Sequence, residues 1–401
     1  MEIKMDIISE LNGKRILIWG YGREGKATEH FLQRCVKPAS VDIFEGKKEE
    51  IDEDDYDFII KSPGIVMNEE NPKYTSETEL FLQQFRGQVI GITGTKGKST
   101  TSAMLYTVLK ACSGRPVLLL GNIGQPCLDY FEEVTEDTII VYEMSCHQLA
   151  HTNVSPHIAI FLNLYEEHLD YYGTVEKYFE AKSHIAAYQK SGDYFFVGEN
   201  VPQIDTKAQR TVLHQPKGVH YDLKLAGEHN QYDAQFVERV AELLGCEKEA
   251  VLKSMADFEG LPHRLQYVGT YRGVRYYDDS ISTIPEAAIN AAMSIPDAKT
   301  VLIGGMDRGI NYDLLVTFIR KHKEFQFICA YASGKRIFGE VGDCENCVYA
   351  EDLEQAVEAA VQMTEPGGAC ILSPAAASYG YFKNFEERGE TFQKYVHAFA
   401  Q

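Results

Sequence analysis

The chain has 401 residues, 44% hydrophobic and 24% charged, with a formal net charge of −20, a length that supports two to four domains and excludes a single small module. An acidic balance of this size repels a phosphate backbone and excludes nucleic acid as a partner, although Mg²⁺, a helix N-terminus and a few lysines can still hold a nucleotide. The first residues, Met1-Glu2-Ile3-Lys4-Met5-Asp6, carry charges where a signal peptide needs an apolar run, and no stretch approaches about 18 uncharged apolar residues, so a soluble cytoplasmic enzyme with no membrane segment is expected.

Apolar strand-like runs alternate with amphipathic segments throughout, which predicts α/β architecture with largely parallel sheets. The first block opens with a strand, Arg15 to Trp19, followed by the turn Gly20-Tyr21-Gly22-Arg23-Glu24-Gly25 and a helical run through Thr28 to Gln33. Glycines at 20, 22 and 25 allow a tight turn and close approach of backbone to a diphosphate at the helix N-terminus. A second strand, Ser40 to Phe44, carries Asp42 and leads to Glu45, where a dinucleotide enzyme places its ribose acid. The block then ends too early for six strands: after Phe58 to Gly64 the chain reaches a helix around Glu79 to Phe85. A half-sized fold holding another diphosphate, such as UDP, fits residues 1–87 better than NAD does.

The second block, 88–261, begins with the strand Val89 to Thr93, then Gly94-Thr95-Lys96-Gly97-Lys98-Ser99-Thr100, then a helix to Lys110. Backbone amides of such a loop cradle ATP phosphates, Lys98 reaches the β/γ oxygens, and the Ser99 hydroxyl can ligate Mg²⁺. The loop is shorter than the common G-x-x-x-x-G-K-[ST], because Ile92 stands five residues before Gly97.

In this form the loop resembles that of the Mur ligases and of folylpolyglutamate synthase, and later segments strengthen the resemblance. A strand from Thr138 to Tyr142 delivers Glu143-Met144-Ser145-Cys146-His147-Gln148, similar to E-x-S-S-[FH]-Q. A strand from Ile158 to Leu162 delivers Asn163 through Glu167-His168-Leu169-Asp170, similar to N-x-x-x-[DE]-H-x-D. The resemblance implies that Glu143 and His168 ligate Mg²⁺, and that Lys182 is carbamylated and holds a second Mg²⁺. It also places Asn230, in Gly227-Glu228-His229-Asn230, against the nucleotide, before an ordinary helix from Ala234 to Leu244. It brings Arg264, in Leu261-Pro262-His263-Arg264, to an ATP phosphate, and sets Asn122, Ser145 and Gln148 along the precursor.

The third block, 262–401, contains Tyr276 to Ser280, the strand and turn Val301 to Gly305 leading to Met306-Asp307-Arg308-Gly309, and a late strand from Cys370 into Leu372-Ser373-Pro374-Ala375-Ala376-Ala377-Ser378. Residues Leu372 to Gly389 look like the L-S-P-A-x-A-S-x-D-x-F-x-x-[FY]-x-x-R-G of glutamate-adding Mur ligases. By position, Thr283, Arg308, Ser378 and Phe385 would then surround glutamate, with Arg308 pairing a carboxylate and Asp279 beside the nucleotide or its metal. Two departures stand out: Ile281 and Ile284 replace the lysine and asparagine of D-S-K-x-T-N, and Tyr379-Gly380 replaces x-D. The enantiomer of glutamate stays open at this point.

The resemblance implies three domains: a Rossmann-like N-terminal domain for UDP, a central P-loop ATPase domain with a parallel sheet, and a Rossmann-like C-terminal domain for glutamate. A monomer using ATP, two Mg²⁺, UDP-N-acetylmuramoyl-L-alanine and glutamate is expected. The alternatives are a folylpolyglutamate synthase-like ligase, an NAD-dependent oxidoreductase built on Gly20 to Gly25, and a non-catalytic nucleotide-binding regulator. Nine cysteines, an odd number, argue against a full disulfide framework. Cys344-x-x-Cys347 lacks a second ligand pair and reads as an ordinary turn.

Overall fold

A computed structural model describes residues 6–65, 71–123, 125–167, 169–215, 220–225 and 227–400. Their strands fall into three sheets. The first comprises β1 (Arg15–Trp19), β2 (Ser40–Phe44), β3 (Phe58–Lys61) and β4 (Tyr74–Thr75) in the order β2-β1-β3-β4, all parallel. Four strands match the expected half-sized fold. The turn between β1 and the helix Arg23–Cys35 needs glycine at 25, since a Cβ there would lie 2.2 Å from the Gly20 carbonyl oxygen.

The second sheet holds β5 (Val89–Thr93), β6 (Val117–Gly121), β7 (Ile139–Glu143), β8 (Ile158–Phe161), β9 (Tyr194–Gly198) and β10 (Gln209–Leu213), ordered β10-β9-β8-β5-β7-β6 and again parallel. β5, β7 and β8 are buried along their whole length, as befits strands covered on both faces. β5 lies centrally, where chain order reverses between β7 and β8, so its C-terminal end opens into a crevice suited to ligands. The helix Glu77–Phe85, capped by Ser76, joins the first two sheets through one core: Phe81 meets Tyr142 edge-on at 6.0 Å, and the Thr78 and Tyr142 hydroxyls lie 3.0 Å apart.

The third sheet runs β11-β12-β16-β13-β14-β15, from β11 (Gln266–Tyr271), β12 (Val274–Asp278), β13 (Ala298–Ile303), β14 (Gln326–Ala330), β15 (Cys347–Ala350) and β16 (Ala369–Leu372); only the edge strand β11 is antiparallel. Its two faces carry separate apolar cores.

By compactness the chain forms two units, one of Met1–Asp222 with His229–Ala256, the other of Leu223–Glu228 with Asp257–Gln401. Within the second, Lys224 Nζ donates to Glu259 Oε1 at 3.1 Å. Two readings of the sequence need correction. The helix expected from Ala234 begins at Glu228, so Asn230 sits in its first turn. Cys347 is no turn residue but opens β15, with its Sγ 3.5 Å from Cys329 Sγ, while Cys344 stays in the preceding turn.

Candidate functional site

The phosphate loop joins β5 to the helix Lys98–Cys112, with Gly97 as N-cap at φ +84°. That conformation favours glycine, and a Cβ would lie 2.4 Å from Asp233 Oδ2. The loop is pinned from β8: Thr95 N donates to the Asn163 carbonyl at 3.0 Å and Lys96 N to Asn163 Oδ1 at 2.9 Å. Lys96 Nζ reaches Glu167 Oε1 at 3.0 Å. Ser99 and Thr100 open the helix, half-buried.

Two lysines converge on this loop. Lys98 Nζ donates to the carbonyls of Gly94 and Thr95, both at 2.9 Å, and Lys182 Nζ donates to the same Gly94 carbonyl at 2.9 Å. Burial holds the Lys98 ammonium below the usual lysine range. Burial, then the neighbouring Lys98 charge, pushes Lys182 down to about 7. Lys182 is 1% exposed and lies 4.9 Å from the Tyr178 ring centroid.

Glu143, at the end of β7, is wholly buried; its Oε1 accepts from Asn122 Nδ2 at 2.7 Å, and its Oε2 is buried without a partner. A buried carboxylate oxygen left unsatisfied is costly, and a bound cation would relieve it. Ser145 caps the helix Cys146–Leu149 in a capping box with Gln148, whose Nε2 donates to Glu24 Oε1 at 2.8 Å. A cavity of about 420 Å³ unites Lys98, Lys182, Asn122, Ser145, Gln148 and Glu24 with Pro63 and Gly64 beyond β3. Gly20, Gly22 and Gly25 shape the turn carrying Glu24. Asp42 stands apart from this lining, exposed in the middle of β2, where its charge helps raise the Tyr56 hydroxyl after burial does. Asn230 is buried on its helix, and His168 lies outside the described residues.

In the second unit Asp279 follows β12, buried, and accepts from Ser282 Oγ at 2.5 Å, Ser373 Oγ at 2.7 Å and Leu265 N at 3.2 Å. Burial raises it to about 6 despite those bonds. Arg264 is exposed between His263 and Leu265, both at positive φ. Arg308 is exposed and its Nη2 lies 3.5 Å from the Thr283 carbonyl. Ser378 is buried, and the Phe385 carbonyl accepts from Ser280 Oγ at 2.8 Å. Arg388 binds these segments together, donating to Ser280 Oγ at 3.0 Å, the Ser280 carbonyl at 2.7 Å and the Ala376 carbonyl at 3.0 Å.

Residues 92–242 match the family model of the Mur ligase middle domain. A UDP-N-acetylmuramoylalanine–D-glutamate ligase of Geobacillus kaustophilus is 32% identical over 427 residues, covering 98% of this chain and 94% of the relative. The chain belongs to the Mur ligase family. The enzyme of the same name from Lactobacillus acidophilus is 30% identical, with 98% of this Mur ligase and 99% of the relative covered. Among solved structures, MurF ligase from Thermotoga maritima in complex with ADP matches with a TM-score of 0.59 at 16% identity, over 97% of this chain and 96% of that one. It shares the three-domain α/β fold.

Sequence reasoning passed over several residues of this Mur ligase that line or brace the site. Glu24 was visible inside the glycine turn, an acid where a diphosphate is expected. Asp233, three residues beyond Asn230, gave no local signal, because its approach to Gly97 comes from packing of two helices distant in sequence. Burial raises Asp233 to about 7.

Proposed function

We propose that this chain uses ATP to join D-glutamate to UDP-N-acetylmuramoyl-L-alanine. The observation that carries the reading is the meeting of the Lys98 and Lys182 ammonium groups on one carbonyl of the phosphate loop, in a cavity that also holds Asn122, Ser145 and Gln148. The substrate assignment is supported by the printed names of relatives matching over nearly the whole chain. Under this reading 1–87 binds UDP, 88–261 binds ATP and 262–401 binds glutamate.

A carboxylate does not acylate an amine at neutral pH, so the alanyl carboxylate first attacks the γ-phosphorus of ATP, forming an acyl phosphate and releasing ADP. Lys98 stabilises the charge on the transferring group. The glutamate amine then attacks the acyl carbon, loses a proton, and the tetrahedral intermediate expels phosphate. Arg308, Thr283, Ser378 and Phe385 hold glutamate, and Arg264, Asp279 and Asn230 attend the nucleotide. Glu143, with its unpartnered Oε2, and Ser99 suit Mg²⁺, as does His168 by its motif; the metal supplies screening between the anionic reactants. Lys182 suits carbamylation, since a lysine brought to about 7 keeps a neutral fraction able to attack CO₂, losing a proton to give an anionic second metal ligand.

The test is phosphate release from ATP with each UDP-muramoyl substrate and each amino acid. UDP-N-acetylmuramoyl-L-alanine with D-glutamate is expected to stimulate release, and L-glutamate is not. No release above controls with either enantiomer overturns the assignment; release with the L form alone overturns the stereochemistry.

A further inference from the structure

The segment Leu261-Pro262-His263-Arg264-Leu265 holds two left-handed residues that are not glycine, His263 at φ +60° and Leu265 at φ +43°. Backbone of this kind is strained and persists only where its surroundings impose it. Arg264, between the two, is exposed; its guanidinium makes no hydrogen bond to another described residue, and its charge acts on the Asp279 carboxylate. The direction of the Arg264 side chain is therefore set by its strained neighbours. Leu265 N is tied to Asp279 Oδ1 at 3.2 Å. His263 is held more fully: its amide donates to Gln266 Oε1 at 2.9 Å, its carbonyl accepts from Ile281 N at 3.1 Å, and its ring, 6% exposed, places Nδ1 2.7 Å from Asp278 Oδ2.

Asp278, the last residue of β12, is wholly buried and joins these bonds to the C-terminal helix Phe385–Phe399. Its Oδ1 accepts from Ser280 N at 2.9 Å, and its Oδ2 accepts from Gln393 Nε2 at 2.8 Å as well as facing His263. Gln393 Nε2 also donates to Gln266 Oε1 at 3.2 Å, which closes a ring through Gln266, His263, Asp278 and Gln393. On the same helix Gly389 leaves room for the imidazole, since a Cβ there would lie 2.1 Å from His263 Nδ1 and 2.5 Å from Asp278 Oδ2. The imidazole also meets the Phe385 ring edge-on, with centroids 6.1 Å apart. We propose that Asp278 and His263 are positioning residues that act through Arg264: the closed ring of hydrogen bonds imposes the left-handed turn at His263 and so aims the guanidinium at the nucleotide. The inference rests on the role given to Arg264 above. Packing alone does not call for this arrangement, because an apolar side chain at 278 and an ordinary turn at 263 would avoid both a buried carboxylate and a strained backbone. What the network adds is a fixed direction for one side chain, and a misplacement of about 1 Å can cost about a hundredfold in rate.

The experiment is a double-mutant cycle read by phosphate release from ATP in the presence of UDP-N-acetylmuramoyl-L-alanine and D-glutamate. His263→Asn gives up the reach to Asp278 while asparagine still accepts a left-handed φ, and should lower kcat/KM for ATP by about tenfold or more. Arg264→Ala should lower it at least as far. Because His263 acts through Arg264, the double variant should be no slower than Arg264→Ala alone, whereas a merely structural role would make the two losses multiply. Asp278→Ala should fall as far as His263→Asn, and Asp278→Asn, whose amide can still pair with the imidazole, should recover most of that loss. Near-ultraviolet circular dichroism establishes that the variants fold. A native kcat/KM in His263→Asn, losses that multiply in the double variant, or an Asp278→Asn no better than Asp278→Ala overturns the proposal while leaving the ligase reading intact, because the native protein still releases phosphate. No release by the native protein with any pair of substrates overturns both.

Discussion

Gly97 shows how much a single position can decide. Adding a methyl group places a Cβ at φ +84° and 2.4 Å from Asp233 Oδ2, so Gly97→Ala should lose about 1–3 kcal/mol of stability, read as a lower denaturation midpoint, together with nucleotide binding. Lys98→Ala removes the ammonium proposed to stabilise the transferring phosphoryl group and should cut turnover by about 10³-fold or more with little change in melting temperature; near-native turnover would remove Lys98 from the mechanism. Lys182→Ala should be as inactive, and should regain part of its rate when short carboxylic acids are added in place of the carbamate. No rescue would count against carbamylation. Lys98, Glu143 and the loop glycines were legible because each sits at or just past a strand end inside a recognisable spacing, whereas Lys182, in mid-helix, is an ordinary helix-face lysine in the sequence and is singled out only by the family resemblance. Glu24 and Asp233 acquire meaning only through neighbours from other elements, Gln148 for the first and Gly97 for the second, which no local pattern encodes.

Helices and strands were legible where burial imposes a pattern. β5, β7 and β8 are continuous apolar runs, and each was foreseen with its position relative to the loop it feeds. The two-residue β4 carries too little sequence to show periodicity, and β10 is largely exposed. The helix from Glu228 was placed six residues late because its polar first turn, Glu228-His229-Asn230, resembles a loop until packing buries Asn230. The C-terminal helix Phe385–Phe399 carries Arg388, 1% exposed, into the carbonyls of Ser280 and Ala376. Burial lowers Arg388 only to about 10, so it stays charged at neutral pH. Arg388→Met keeps the apolar stem but strands those carbonyls, and should cost about 2–4 kcal/mol, measured by urea denaturation. A loss below a few tenths would show that water replaces the guanidinium.

At the scale of the molecule, the cores are distinct: one cluster spans the first two sheets, and two others flank the third. Calorimetry should therefore resolve two unfolding transitions, with UDP-N-acetylmuramoyl-L-alanine raising one of them by mass action and leaving the other in place. A single transition raised as a whole would show that the units unfold together. The net charge of −20 argues against a nucleic-acid partner, while Lys96, Lys98 and Lys182 gather at the phosphate loop. The path of the chain has a further consequence. The first unit is left at Asp222 and resumed at His229, while Leu223–Glu228 belongs to the second. No single cut therefore releases both units whole, and during translation the first waits unfinished on the ribosome until Ala256 has emerged.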